Sequence, residues 1–228
     1  CSLRPERRPA QAGMALVAAL LVAALATLLA TRLLASQDDF VSLAETERSL
    51  GQARRLALGG VDLARAILAE DTRLGGADHL GEAWATPVRE TPVEGGSVAG
   101  QVSDAQARFN LATLVREDRR GLDAGAILVY RRLLAALQLP PELADATAAW
   151  VARQPAGAWL DLESLAQVDG YSAEVLARLR PHAGFLPVWT QVNVNTAGAP
   201  VLAAVAGLPA GEATALAASR LPVWFRNA

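Results

Sequence analysis

The chain has 228 residues, 52% of them hydrophobic, and a formal net charge of −2. That length holds one or two domains with a real core, and the slightly acidic balance argues against a partner held through phosphate contacts. All 21 basic residues are arginine and the single cysteine is Cys1, so residues 2–228 offer no disulfide, thiolate nucleophile or thiolate metal ligand.

Arg4, Arg7 and Arg8 precede an apolar stretch, GMALVAALLVAALATLLAT, that runs from Gly13 to Thr31 and is closed by Arg32. Met14 to Thr31 carries no charge; as a helix it is about 27 Å long, enough to cross most of a bilayer core. The basic leader stays cytoplasmic by the positive-inside rule, which puts residues from about Ser36 onward across the membrane. A secretory signal peptide would have a shorter apolar region and a small-residue cleavage site. A plain signal anchor fits the segment. So does a prepilin-type leader, a basic segment ending in Gly13 with cleavage before Met14. Loss of residues 1–13 would take away three Arg and one Glu, leaving a net charge of about −4.

From Ser36 to Asp71 the pattern stays helical. Leu43, Leu50, Ala57, Val61, Ala64 and Leu68 fall on one stripe. No proline occurs between Arg32 and Asp71, so the apolar helix is expected to continue as one rod of about 58 residues. Two helices meeting at Gly59-Gly60 are the alternative, and the end is expected by Gly75-Gly76. Residues 77–100 read as a loop in which Ser97–Val102 alternates like a strand. The block DAQARFNLATL follows, anchored by Phe109, Leu111 and Leu114. Helices are then expected over Leu122–Gln138, from Pro140-Pro141 to about Arg153, and as a pair over Leu160–Val168 and Ala173–Leu179. VNVNT, Val192 to Thr196, reads as extended, with Asn195 or Thr196 capping the next helix. A second pair spans Ala199–Val205 and Gly211–Arg220, joined through Gly207-Leu208-Pro209.

No catalytic constellation stands out, and the chain is not expected to be an enzyme. His79 and His182 lack metal-ligand neighbours at regular spacing. The acidic pairs Asp38-Asp39, Glu70-Asp71 and Glu117-Asp118 read as solvated faces. Asp161, Glu163 and Asp169 could supply oxygen ligands, with a solvated face as the plainer reading. The second helix pair is also similar to a helix-hairpin-helix DNA-binding segment of the competence kind. There Pro209 removes a backbone donor and Arg220 is the only basic residue, so no nucleic-acid partner is expected. An unrelated signal-anchored periplasmic scaffold is a third reading.

Four blocks recur in order in one family: RRPAQAGMALVAALL, SDAQARFNLATL, WLDLESLAQVDGYSAEVLARLRPHAGFLP and VNVNTAGAPVLAAVAGL. With them the chain, from residue 8 to about 220, resembles the K-class minor pseudopilins of type II secretion. The resemblance implies an α+β fold: a long N-terminal transmembrane, pilin-like helix, a small β-sheet and an inserted all-α domain. It divides the chain into a leader (1–13), the pilin helix (14–75), a sheet region (76–115), the inserted helical domain (116–190) and a second hairpin with a shortened C-terminal region (191–228). It implies prepilin-peptidase cleavage between Gly13 and Met14, a single pass through the inner membrane and a periplasmic remainder. It also implies I- and J-class minor pseudopilins and the secretion machinery as partners, and a role at the pseudopilus tip in starting assembly. Most pseudopilins carry a Glu where this chain has Ala18, and the K class typically lacks it. A carboxylate buried in a membrane is costly unless paired, and a tip subunit has no subunit above it to pair with.

Two departures from the family pattern follow. The loop after Trp150 reads VARQPAGAW, with no carboxylate from Val151 to Trp159, so calcium, associated with that loop in relatives, is not expected and no cofactor is assigned. Relatives continue past Arg220 into closing strands where this chain ends in LPVWFRNA, so the sheet is expected to be incomplete and Trp224 and Phe225 little covered.

Overall fold

In the computed structural model, residues 9–94, 96–155, 157–220 and 225 are described, without the side chains of 9–13, 35–39 and 74. The first helix, α1, runs Pro9–Leu74, 66 residues. It passes Gly59-Gly60 unbroken, although glycine costs about 1 kcal/mol relative to Ala in a helix. Its apolar span is Met14–Leu34, longer than the uncharged run, with mean hydropathy 2.5 and none of it buried. That is about 31 Å of helix, close to a bilayer core, and it takes in Arg32 near one end, where a long side chain reaches the interface.

The chain divides into two compact units, residues 1–60 with 93–96 and residues 61–92 with 97–228. In the first, the α1 residues carry their apolar side chains outward, and the Gln52 amide donates to the Glu94 carbonyl at 2.7 Å.

In the second unit, α1 ends at Leu74 and a loop leads to a 3-10 turn, Ala83–Ala85, that buries Trp84. Strands β1 (Val88–Val93) and β2 (Gly96–Gly100) pair as a two-stranded sheet. β1 lies inside a stretch read as loop, because Thr91-Pro92 looks like turn chemistry although proline is tolerated on an edge strand. β2 ends two residues before the expected Val102. Beyond it the Asp104 side chain accepts from Gln106 N–H and turns the chain into a short 3-10 segment.

The helical part is built on β3 (Phe109–Asn110), which pairs in parallel with β4 (Ala183–Gly184), Phe109 opposite Ala183. Helix α2 (Ala124–Ala136) starts where Asp123 accepts from Ala126 N–H, and it buries Ile127, Tyr130, Leu133 and Leu134. Helix α3 (Leu143–Arg153) buries Leu143, Ala144, Thr147, Ala148, Trp150 and Val151. Leu160–Val168 is a 3-10 stretch, Leu162–Gln167, rather than a helix of the expected kind, opened by an Asp161–Ser164 capping box. Its run is too short to close several i→i−4 bonds. Helix α4 (Ala173–Leu179) sits as expected, capped by Ser172.

Helices α5 (Ala199–Ala206) and α6 (Ala210–Ser219) are bent 115° at the intervening turn, where Gly207 takes φ 66°. Joined, the pair is apolar enough by length and composition to cross a membrane, but Val201, Leu202, Ala203 and Ala204 are buried in this domain's core. The core centres on Phe109 stacked on Tyr130 (centroids 5.6 Å apart) and Trp150 tilted against Phe185. Tyr130 and Tyr171 hydroxyls meet at 2.7 Å, Thr147 joins them at 2.6 Å, and Thr147 also donates to the Leu143 carbonyl. Burial raises the pKa of both tyrosines, so the trio stays uncharged.

Candidate functional site

VNVNT is a knot rather than a strand. The chain turns at residues 194–196 because the Asn193 side chain accepts from Asn195 N–H and the Asn193 carbonyl accepts from Thr196 and Ala197 N–H. Neither Asn195 nor Thr196 caps α5; the cap position is Gly198, with Pro200 in the first turn. Their side chains are engaged elsewhere. Asn193 Nδ2 donates to the Asp104 carboxylate at 2.9 Å and to the Asp78 carbonyl at 3.1 Å. Thr196 donates to the same Asp104 oxygen at 2.6 Å. Asn195 grips Phe225 through both backbone groups, Nδ2 to the carbonyl and Oδ1 from the N–H, and Phe225 is 37% exposed. Trp224 lies outside the described residues. Bonds to a carboxylate are stronger than neutral ones, so Asp104 ties the loop after β2 to the turn before α5.

Near this knot three carboxylates converge. Asp71, at the end of α1, and Asp78 and Glu82, in the loop after it, bring oxygens within 4.8 Å of one another. Asp71 therefore departs from the solvated-face reading of Glu70-Asp71. Partial loss of water contact, then the Glu82, Asp104 and Asp71 charges, raise the Asp78 pKa above its ordinary value. Glu82 Oε2 already accepts from His79 N–H (2.9 Å) and Trp84 Nε1 (2.7 Å).

The residues singled out for a cation, Asp161, Glu163 and Asp169, do not converge among the described residues. Asp161 caps the 3-10 stretch, and the Ser164 hydroxyl and N–H hold its carboxyl below the ordinary value. Glu163 pairs with Arg180 at 2.6 Å, and Asp169 is exposed. His182 is half-buried, which lowers its pKa, and its carbonyl accepts from Phe109 N–H. Arg220, the cation of the DNA reading, is 9% exposed and donates to the Val194 carbonyl at 2.6 Å, so it is not presented to a phosphate.

The residues expected to serve cleavage and assembly all fall on α1. Gly13 and Met14 lie inside it, and Ala18 is exposed. Leu43 and Leu50 are 60% and 65% exposed, and Ala57 is exposed on the same face. Residues seven apart drift only about 20° around a helix.

Residues 107–188 match the family model described as type II secretion system protein K. The chain is 34% identical to type II secretion system protein K of Pseudomonas aeruginosa over 239 aligned residues, 90% of this chain and 71% of that protein. This chain belongs to the type II secretion system protein K family. It is 30% identical to the Klebsiella pneumoniae protein K, over 92% of this chain and 74% of that one. The Pectobacterium carotovorum protein K is also 30% identical, over 75% of this chain and 52% of that one. The fold likewise matches a chain from the crystal structure of the GspK-GspI-GspJ complex of the enterotoxigenic Escherichia coli type 2 secretion system. There the TM-score is 0.61 at 21% identity, over 72% of this chain and 68% of that chain. This K-family chain is thus a pseudopilin of type II secretion, a component of protein transport.

The Asp104–Asn193–Thr196 tie has no signature in the sequence. Asp104 carried a local signal, an Asx turn onto Gln106, but no pattern announces a partner 89 residues away.

Proposed function

We propose that this K-family chain is a minor pseudopilin at the tip of a short secretion pseudopilus, where it helps start assembly with I- and J-class subunits. Prepilin peptidase removes residues 1–13 between Gly13 and Met14. The helix from Met14 anchors the mature chain once in the inner membrane, and the rest faces the periplasm. Ala18, in place of a carboxylate, suits a subunit with no neighbour above it.

The observation that carries this reading is the stripe of α1. Leu43 and Leu50 stay open to solvent at 60% and 65% exposure, beyond the span expected to lie in lipid. A face of large apolar residues at helical spacing is stabilised when another helix covers it. The experiment replaces Leu50 with Asp and measures co-purification with I- and J-class partners from membranes. The expected result is a loss of roughly tenfold or more in recovered partner. Undiminished recovery would remove this face from the assembly interface.

A further inference from the structure

Past the apolar span, the open side of α1 follows a heptad. Phe40, Leu43, Glu47, Leu50, Arg54 and Ala57 recur at alternate steps of three and four, on one face of the helix, and all are exposed. Such steps make the seam of a helix that packs lengthwise on another helix. The contact this chain makes with itself here lies round the other side. Gln52, about 160° from Leu50 on the helix, is half-buried and donates to the Glu94 carbonyl, and Leu56, one turn on, is half-buried too.

Two members of the seam are charged. Glu47 and Arg54 lie one heptad apart, and neither side chain makes an ion pair or a hydrogen bond among the described residues. Other exposed charges of α1 pair along the helix, Arg65 with Asp62 and Arg73 with Glu70, each at 3.1 Å. Glu45, Arg48 and Arg55 lie about 100° or more from the centre of the seam, so they do not answer its charges. A helix that covers Leu43 and Leu50 takes Glu47 and Arg54 out of water as well. A charge closed into an apolar seam is costly unless an opposite charge meets it.

We propose that the partner helix on this face carries its own seam charges in the opposite order: a cation level with Glu47 and, one heptad further from the membrane, an anion level with Arg54. This rests on the pseudopilin reading of α1 and names the chemistry of its partner. On that reading both helices leave the same membrane and run parallel. A second copy of this chain in register then sets Glu47 against Glu47 and Arg54 against Arg54. A copy shifted by one heptad matches one charge and leaves the other unmet. A different chain satisfies both, and the two bridges fix its register, because a slip of one heptad brings like charges together.

The test uses the full chain, tagged, with I- and J-class pseudopilins in membranes, and measures the partner recovered with it. Glu47→Arg and Arg54→Glu should each lower recovery roughly tenfold or more. Glu45→Arg and Arg55→Glu, off the seam, should leave it unchanged. Random substitution of the partner helix should restore recovery to Glu47→Arg through a new acidic residue and to Arg54→Glu through a new basic one. Full recovery in both seam variants, with loss in Leu50→Asp, overturns the paired charges and leaves the tip reading standing; full recovery in Leu50→Asp as well removes both. Equal losses on and off the seam overturn the proposal, since overall charge would then govern association. Recovery of a differently tagged second copy, lost in Glu47→Arg, would make this chain its own partner and overturn it too.

Discussion

Leucine serves two opposite ends in this chain. On α1, Leu43, Leu50 and Leu58 are 60%, 65% and 55% exposed, and the whole Met14–Leu34 span is unburied. On α2, Leu133 and Leu134 are fully buried against their own chain. Both helices are amphipathic or apolar by sequence, and what separates them is where the complementary surface comes from. The helical domain supplies its own, through β3–β4 pairing, the Phe109–Tyr130 stack and the hydroxyl trio. The residues of α1 through Gly60 leave theirs open; in the proposed function lipid covers the first part and other helices cover the stripe. A domain that closes on itself can fold before assembly, whereas an open helix face stores apolar area for it.

The buried leucines should give the larger effect. Leu133→Ala should cost about 2–5 kcal/mol, transfer plus cavity, measured by urea unfolding followed through near-UV circular dichroism. Leu50→Ala in the isolated chain should change stability by no more than about 0.5 kcal/mol. Equal losses would mean that the α1 stripe is already covered within the chain. A second test sharpens how the domain holds its C-terminal hairpin. Asn193→Ala removes the donors to Asp104 and Asp78 and the acceptor for Asn195 N–H, and it should cost about 1–3 kcal/mol. An unchanged midpoint would remove the knot from the account.

The smallest effect is the pH dependence at Asp78. Its carboxyl is raised above 3.8, so the folded chain holds that proton more readily than the unfolded one. For such a group, stability is fully present below the unfolded value and is lost as pH rises through the folded value. Asp78→Asn should therefore stabilise the chain at neutral pH, and the advantage should fade as pH falls toward 3.8. Unfolding midpoints of both forms across that window check it; an advantage that grows in acid would show the sign to be wrong.

Much of this architecture was legible because the domain's helices announce themselves. Asp123, Ser172 and the Pro140-Pro141 break punctuate α2, α4 and α3 where local chemistry demands, and α4 falls on the residues its pattern marked. What was not legible is long-range or shared between neighbours. β4 is two residues, Ala183–Gly184, recognisable only once Phe109–Asn110 lies beside it. VNVNT alternates as a strand does, yet the Asn193 side-chain oxygen accepts from Asn195 N–H and folds it into a turn, the competition that Asn brings to any extended segment. Asp71, Asp78 and Glu82 converge across a glycine-containing loop, and spacing along the chain carries no trace of that.

We propose that α1 begins, in the mature protein, at the residue after Gly13 and serves as a pseudopilin helix. Mass spectrometry of the N-terminus, from cells with and without prepilin peptidase, tests it most directly. The expected product is a chain starting at Met14 that appears only when the peptidase is present. A leader left uncut in both strains would contradict it and return α1 to a plain signal anchor.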